Sequence, residues 1–298
     1  MTTPKVTLVI HGGAGTIRPK DRANYIAGLL AAREAGFAAL EEGKDARSAI
    51  LITVATMEDN VKAFNAGTGG SPNRDGVVEC DAAVMAGWDR SAGAVAAVTN
   101  AKNPVLLADK VRLKSPHVFL VGAGAESLVD EPIDNQTLLT ERTKAALSEW
   151  REKKLSPANS ATVGAVALDS AGRLAAATST GGVLGKWPGR VGDSPLIGAG
   201  TYADAHIAVS CTGKGEAFTR AVTAKSLATR LHYEKDLHSA VKAALEEVQT
   251  LEGSGGLISL TAEGQVCVGF NTPHMAYTWK SGEAEEVQVG LEAGLYHP

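Results

Sequence analysis

Hydroxyl side chains that could serve as nucleophiles gather in three short segments, TVGAVALD (162–169), TSTGG (178–182) and SCTGKGE (210–216). Each falls at the end of an expected strand. For any one of them alone the simpler reading comes first: β-branched threonine favours strands and glycine closes turns. Together they say more, because a stretch of loop-forming residues without periodicity, Lys154 to Ala161, runs straight into Thr162. A threonine hydroxyl attacks poorly unless a base lies beside it. One solution places the threonine at a chain N-terminus, where its own α-amine takes the proton. Such an amine has an ordinary pKa of about 7.7 to 8 and is substantially neutral near pH 7.5. The unpatterned stretch is then where the chain is cut.

Other chemistries fare worse. GAGAES (122–127) has the first two glycines of a dinucleotide fingerprint and lacks the third, so it reads as a plain strand-to-helix turn. Lys186 is followed by Trp187 and Lys214 by Gly215, so neither completes a phosphate loop. The seven histidines (11, 117, 206, 232, 238, 274, 297) show no HExxH or other close pairing, and none is assigned as a metal ligand. There is no G-x-S-x-G elbow. Among 33 acidic residues, spacing alone selects no glycosidase pair.

The elements that must position these residues follow from pattern. Val6 to Ile10 reads as a buried strand, after which HGGAGT (11–16) turns toward a helix from about Asp21 to Glu42. Asp45 is a good N-cap for a second helix to about Met57, and FNAGTGGSP (64–72) is loop. Strands are expected at 80–85, 93–98 and 118–121, with a helix opening at Pro104 and a long one over 137–153. Lys154 to Ala161 then reads as an exposed linker and the best internal boundary. Beyond it, 162–168 and 173–178 form a hairpin, 207–211 a strand, 216–231 and 236–251 two helices, and 256–261 with 265–270 a second hairpin. Strand pairs flanked by helix pairs in both halves predict an α+β fold, a four-layer αββα sandwich over residues 1–298 as a single domain. No repeat of 20 to 50 residues is present.

Composition narrows the class. The 298 residues are 44% hydrophobic with a net charge of −4, and they contain no dense basic run and no membrane-length apolar run, so neither nucleic acid nor membrane is an expected partner. Cys80, Cys211 and Cys267 are odd in number and widely spaced, which suits reduced thiols in a cytoplasmic protein. The 33 glycines cluster in tight loops, as they do where backbone shapes a site.

HGGAG (11–15), FNAG (64–67), CDAAVM (80–85), GAVAAV (93–98), TVGAVALD, LAAATSTGG (174–182), PGRVGDSPLIGAG (188–200) and SCTGKGE stand in one order over nearly the whole chain. In this the sequence resembles the plant-type asparaginases and isoaspartyl peptidases, which are N-terminal nucleophile hydrolases. The resemblance implies self-cleavage between Ala161 and Thr162, giving an α chain of 1–161 and a β chain of 162–298 that stay associated. It implies Thr162 as nucleophile, Thr180 beside it, and Arg190 and Asp193 as the grip on a substrate's α-carboxylate and α-ammonium. Thr212 and Gly213 would form the oxyanion hole and bind substrate, and Asn65 would position the nucleophile. No cofactor is implied for catalysis. A structural sodium ion is implied at Glu58, Asp59, Val61, Phe64, Ala66 and Thr68, mainly through backbone carbonyls. Asparagine and β-aspartyl dipeptides are the implied substrates, and a homodimer of αβ units the implied assembly. Alternatives are glycosylasparagine hydrolysis and an uncleaved, nonenzymatic binder of aspartyl compounds. Alanine at 161, where the family usually has glycine, predicts slow self-cleavage.

Overall fold

The computed structural model describes residues 5–153, 162–282, 284–289 and 294–296. The Ala161 side of the expected cut and the linker of 154–161 lie outside these. Up to residue 153 the chain forms β1 (Thr7–Gly15), α1 (Arg22–Glu41), α2 (Ala46–Glu58), β2 (Cys80–Ala86), β3 (Ala92–Val98), α3 (Pro104–Lys114), β4 (Phe119–Val121), α4 (Gly122–Glu126) and α5 (Glu141–Lys153). From Thr162 it forms β5 (Val163–Leu168), β6 (Leu174–Thr180), β7 (Thr201–Ala203), β8 (Ile207–Gly213), α6 (Gly215–Ala221), α7 (Thr223–Glu234) and α8 (Leu237–Thr250). The strands β9 (Gly255–Thr261), β10 (Val266–Phe270), β11 (His274–Ser281), β12 (Ala284–Val289) and β13 (Gly294–Tyr296) close the fold.

An eight-stranded sheet has the order β12-β11-β1-β5-β6-β2-β3-β4, and a five-stranded sheet the order β13-β10-β9-β8-β7. Strands from before and after the linker interleave in the larger one. β1 lies between β11 and β5, and β6 lies against β2. The helices α1, α2 and α3 cover one face of the larger sheet, its other face meets the smaller sheet, and α7 and α8 cover the smaller sheet from outside. This is the expected α+β sandwich of four layers.

Period-two alternation divides the apolar residues between two cores. Leu8, Ile10, Ala165, Ala167, Ala175 and Ala177 pack toward the helices with Leu29, Phe37 and Ile50. Val9, Val166, Leu168, Leu174 and Ala176 point the other way and join Val209, Leu257 and Ile258 between the sheets.

Several expectations change. HGGAG is not a turn: β1 continues through it with a bulge between His11 and Gly13, because β11 supplies a partner strand that the short apolar run did not foretell. The helix expected over 137–153 is two pieces, a 3-10 turn (Asn135–Leu138) and α5. The helix expected over 216–231 breaks at Val222, whose φ of 48° ends α6 before α7 begins. At the edge of the larger sheet β3 and β4 run parallel. The Asp45 cap holds as expected, accepting from Ser48 N at 2.7 Å, and Asp236, expected as the first residue of a helix, caps it instead by accepting from Ser239 N at 2.9 Å.

Candidate active site

Thr162 lies just before β5, buried between the two sheets. The register that pairs Val163 with Ser179 carries on to set Thr162 beside Thr180, and the Thr162 hydroxyl donates to Thr180 Oγ1 at 3.1 Å. Thr180 Oγ1 also accepts from Gly182 N at 2.9 Å, which fixes it at the mouth of the TSTGG turn. The β1–β5 register sets His11 opposite Gly164. There the imidazole spans Thr162 O, 3.1 Å from Nδ1, and Ser210 Oγ, 2.9 Å from Nε2. A Cβ on Gly164 would stand 2.0 Å from Ser210 Oγ and 2.5 Å from His11 Nε2, so glycine is required at that place. Complete burial pushes the His11 pKa down to about 3, which leaves the ring neutral.

Asn65 ties two loops together. Its Nδ2 donates to Gly182 O at 2.7 Å, its Oδ1 accepts from Ser71 N at 2.5 Å, and its carbonyl accepts from Gly181 N at 2.9 Å. Arg142, from α5, donates to Phe64 O at 2.7 Å and Gly69 O at 2.9 Å, and so clasps the same loop from outside. In the segment expected to hold sodium, Thr68 N donates to Glu58 O at 2.9 Å, which brings its two ends together. Phe64 and Ala66 are buried there, while Val61 is exposed. The Glu58 side chain points elsewhere: Oε1 accepts from Ser179 Oγ at 2.6 Å and from Val105 N at 2.9 Å. Burial raises its pKa to about 8, so it is mostly protonated at neutral pH.

Arg190 and Asp193 are not a surface ion pair. Arg190 pairs with Glu216, Nη2 to Oε1 at 2.9 Å, whereas Asp193 is buried with no hydrogen-bond partner for Oδ2 among the described residues. They nonetheless converge, since a Cβ on Gly215 would stand 2.9 Å from both Arg190 Nη2 and Asp193 Oδ1. Burial pushes the Asp193 carboxyl up to about 7 against the pull of the Arg190 charge. A buried acid with an unused oxygen beside a guanidinium is matched to a ligand carrying both an ammonium and a carboxylate. Thr212 lies on β8 two residues past Ser210, on the same strand face about 7 Å farther along, where its Oγ1 accepts from Ala14 N at 3.4 Å. Gly213 ends the strand with φ of 148°.

The unpatterned stretch running into the first hydroxyl segment pointed to Thr162, and the family resemblance supplied Thr180 and Thr212. They did not show His11, Ser210 or Glu216. The strand-face parity of Ser210 with Thr212 was available in the sequence, but the partner of His11 depended on a register between β1 and β5 that only folding sets. Lys186, no phosphate ligand, is buried with Nζ donating to Glu79 O at 2.6 Å. A cavity of about 620 Å³, lined by His206, Lys225, His232 and Tyr233 among others, includes none of these residues.

Residues 4–289 match the asparaginase family profile. The chain is 42% identical to the isoaspartyl peptidase of Escherichia coli K12 over 97% of this chain and 98% of that one. It is 41% identical to an isoaspartyl peptidase/L-asparaginase of Rattus norvegicus, covering 96% of this chain and 89% of the rat protein. Against a plant-type L-asparaginase of Pyrococcus horikoshii the identity is 38%, with 96% and 100% covered.

Proposed function

The chain belongs to the asparaginase family, and on that premise we propose that it cuts itself before Thr162 and then hydrolyses L-asparagine and β-aspartyl dipeptides to L-aspartate. The observation that carries this reading is the buried Thr162 hydroxyl resting on Thr180 Oγ1 at the start of β5. The names of the relatives, isoaspartyl peptidase and L-asparaginase, supply the substrate class.

Thr162 Oγ attacks the side-chain carbonyl carbon while the freed α-amine takes its proton. The oxyanion is met by the Thr212 hydroxyl and Gly213 N–H, each such donor contributing about 3 kcal/mol to the transition state. The amine's proton passes to the leaving nitrogen, and ammonia or an amino acid departs. Water then attacks the acyl-enzyme with the same amine as base, and L-aspartate leaves. Arg190 takes the substrate α-carboxylate in exchange for Glu216, and Asp193 takes the α-ammonium, whose charge favours the ionised carboxylate. Thr180 orients the nucleophile, and Asn65 holds the turn that carries Thr180.

No cofactor takes part in these steps. A sodium ion suits the 58–68 segment, where hard carbonyl oxygens of Glu58, Asp59, Val61, Phe64, Ala66 and Thr68 would hold it and stiffen the loop bearing Asn65. The accepting lone pairs left on Glu58 O and Phe64 O are compatible with it. A dimer of αβ units in the cytoplasm completes the reading. All three cysteines are buried free thiols, which suits that compartment; no helix among the described residues is long and apolar enough to cross a membrane.

Mass spectrometry of the purified protein, followed by assay of aspartate release from β-aspartyl-leucine and asparagine, tests this. Two fragments meeting at Thr162 and release of aspartate are expected. One stable intact chain that binds aspartate without turnover would leave a nonenzymatic binder.

A further inference from the structure

Cleavage before Thr162 removes the peptide bond that restrains the nucleophile from its N-terminal side, and a residue at a chain end frays unless something holds it. What remains includes the attachment to β5 and the side chain's bond to Thr180. Rotation about the Val163 N–Cα bond would swing the 162–163 peptide plane, and with it the amine and side chain of Thr162, relative to that strand. The Thr162 carbonyl, 3.1 Å from His11 Nδ1, is the group that reports and fixes this rotation.

The bond has one possible direction. A carbonyl only accepts, so Nδ1 carries the proton, and a neutral imidazole must then accept at Nε2 from the Ser210 hydroxyl. Ser210, its proton committed to His11, accepts from Thr178 at 2.7 Å. Thr201 Oγ1 lies 2.6 Å from Thr178 Oγ1 and 2.9 Å from Ser194 O, the residue after Asp193. His11, Thr178, Thr201 and Ser210 are all buried, so water does not compete for these bonds. The imidazole, carried by β1, is thus held at both nitrogens, by the residue just before β5 and by a serine of β8.

We propose that His11 is a positioning residue for the reaction: through Nδ1–H it locks the carbonyl of Thr162, and with it the aim of the N-terminal amine and hydroxyl once the chain is cut. This rests on the reading of Thr162 as an N-terminal nucleophile. It also accounts for motif residues that the reaction itself leaves unused. HGGAG supplies the ring, the glycine of TVG makes room for it, and the serine of SCTG fixes its tautomer.

Two substitutions of similar size separate positioning from packing. In His11→Asn the amide reaches the place of Nδ1 and keeps the bond to Thr162 O; in His11→Gln it reaches the place of Nε2 and keeps the bond to Ser210 instead. With fully cut protein and β-aspartyl-leucine, His11→Gln is expected to lose about thirtyfold or more in kcat with KM within about threefold, and His11→Asn about fivefold or less. Equal kcat in the two variants, or a lower kcat in His11→Asn, would overturn the proposal. Should either variant not fold or not mature, ring nitrogen NMR of the unsubstituted, cut enzyme labelled at histidine reads the same bond. A proton on Nδ1 of His11 is expected, and a proton on Nε2 overturns the proposal. Failure of the parent reading shows separately, as aspartate release by Thr162→Ala.

Discussion

Ile10 and His11 are neighbours on β1 that face opposite sides of the eight-stranded sheet, and the two sides are built from different chemistry. Ile10 enters a closed apolar core with α1 and α2, alongside Leu8, Ala165 and Ala177. His11 enters a polar row with Thr162, Ser210, Thr178 and Thr201, every member buried and hydrogen-bonded to another. Ser179 and Thr180 repeat the division: Ser179 donates to Glu58 of α2, and Thr180 accepts from the Thr162 hydroxyl. One face therefore carries stability, and the other holds hydroxyls in fixed directions where sheet meets sheet. A buried polar row is tolerable only when its members satisfy one another, which is why it needs the rigid register of paired strands on both sides.

The sharpest way to test this division is to remove the proposed nucleophile. Thr162→Ala should give an intact, folded chain whose aspartate release falls by about 10⁴-fold or more, read by mass spectrometry and a coupled assay. Folding with full activity would break the assignment of the inter-sheet face.

Next in size, Arg190→Ala should lower kcat/KM for asparagine by about thirtyfold to several thousandfold, the equivalent of about 2 to 5 kcal/mol, while cleavage before Thr162 proceeds. A loss under about threefold would remove the anchoring role.

A smaller effect is expected from pH. With its pKa near 7, Asp193 is increasingly neutral as pH falls below 7 and can no longer meet an ammonium, so acid weakens productive binding. The N-terminal amine, of ordinary pKa about 7.7 to 8, protonates in the same direction and loses its role as base. The logarithm of kcat/KM should therefore fall with a slope approaching about two below pH 6 in the wild type, and about one in Asp193→Asn. Equal slopes would show that Asp193 does not titrate in the free enzyme.

The smallest effect on activity should come from Ile10→Ala. Truncation in the helix-facing core should cost about 2 to 5 kcal/mol of stability, seen as a lower urea midpoint, with kcat per folded molecule within about threefold of wild type. A large loss of kcat would mean that the two faces of β1 are coupled and that the comparison fails.

Much of this was legible before folding. The strand over Val6 to Ile10, the Asp45 cap and the helix from 236 stood in the pattern, the stretch running into Thr162 pointed to that residue, and the family motifs supplied Thr180 and Thr212. What could not be read depends on partners distant in sequence. β1 runs through HGGAG because β11 lies 259 or more residues away to receive it, from Gly15 paired with His274 onward. The Arg190–Glu216 pair joins a loop to the first turn of α6, with no common pattern. Local patterns also overran their elements, since Val222 interrupts an amphipathic stretch that looks continuous in the sequence. Glu58, read for its carbonyl alone, proved to have a buried side chain with business of its own across the α2 interface.

The interleaving of early and late strands in the larger sheet bears on how the molecule can be made and lost. With β1 held between β5 and β11, and β2 against β6, a cut before Thr162 frees no element, and the halves remain one body. The order of events is thereby constrained, because the intact chain must complete the sheet while its pieces are still tethered. After the cut, unfolding yields two molecules, and their return becomes a second-order encounter between partners that each lack half a sheet. Dilution then works against recovery, so the mature form would persist through its barrier to opening and the precursor through an ordinary reversible equilibrium. Refolding yield that falls with dilution for the cut protein, but not for uncut Thr162→Ala, is the signature of that one-way passage.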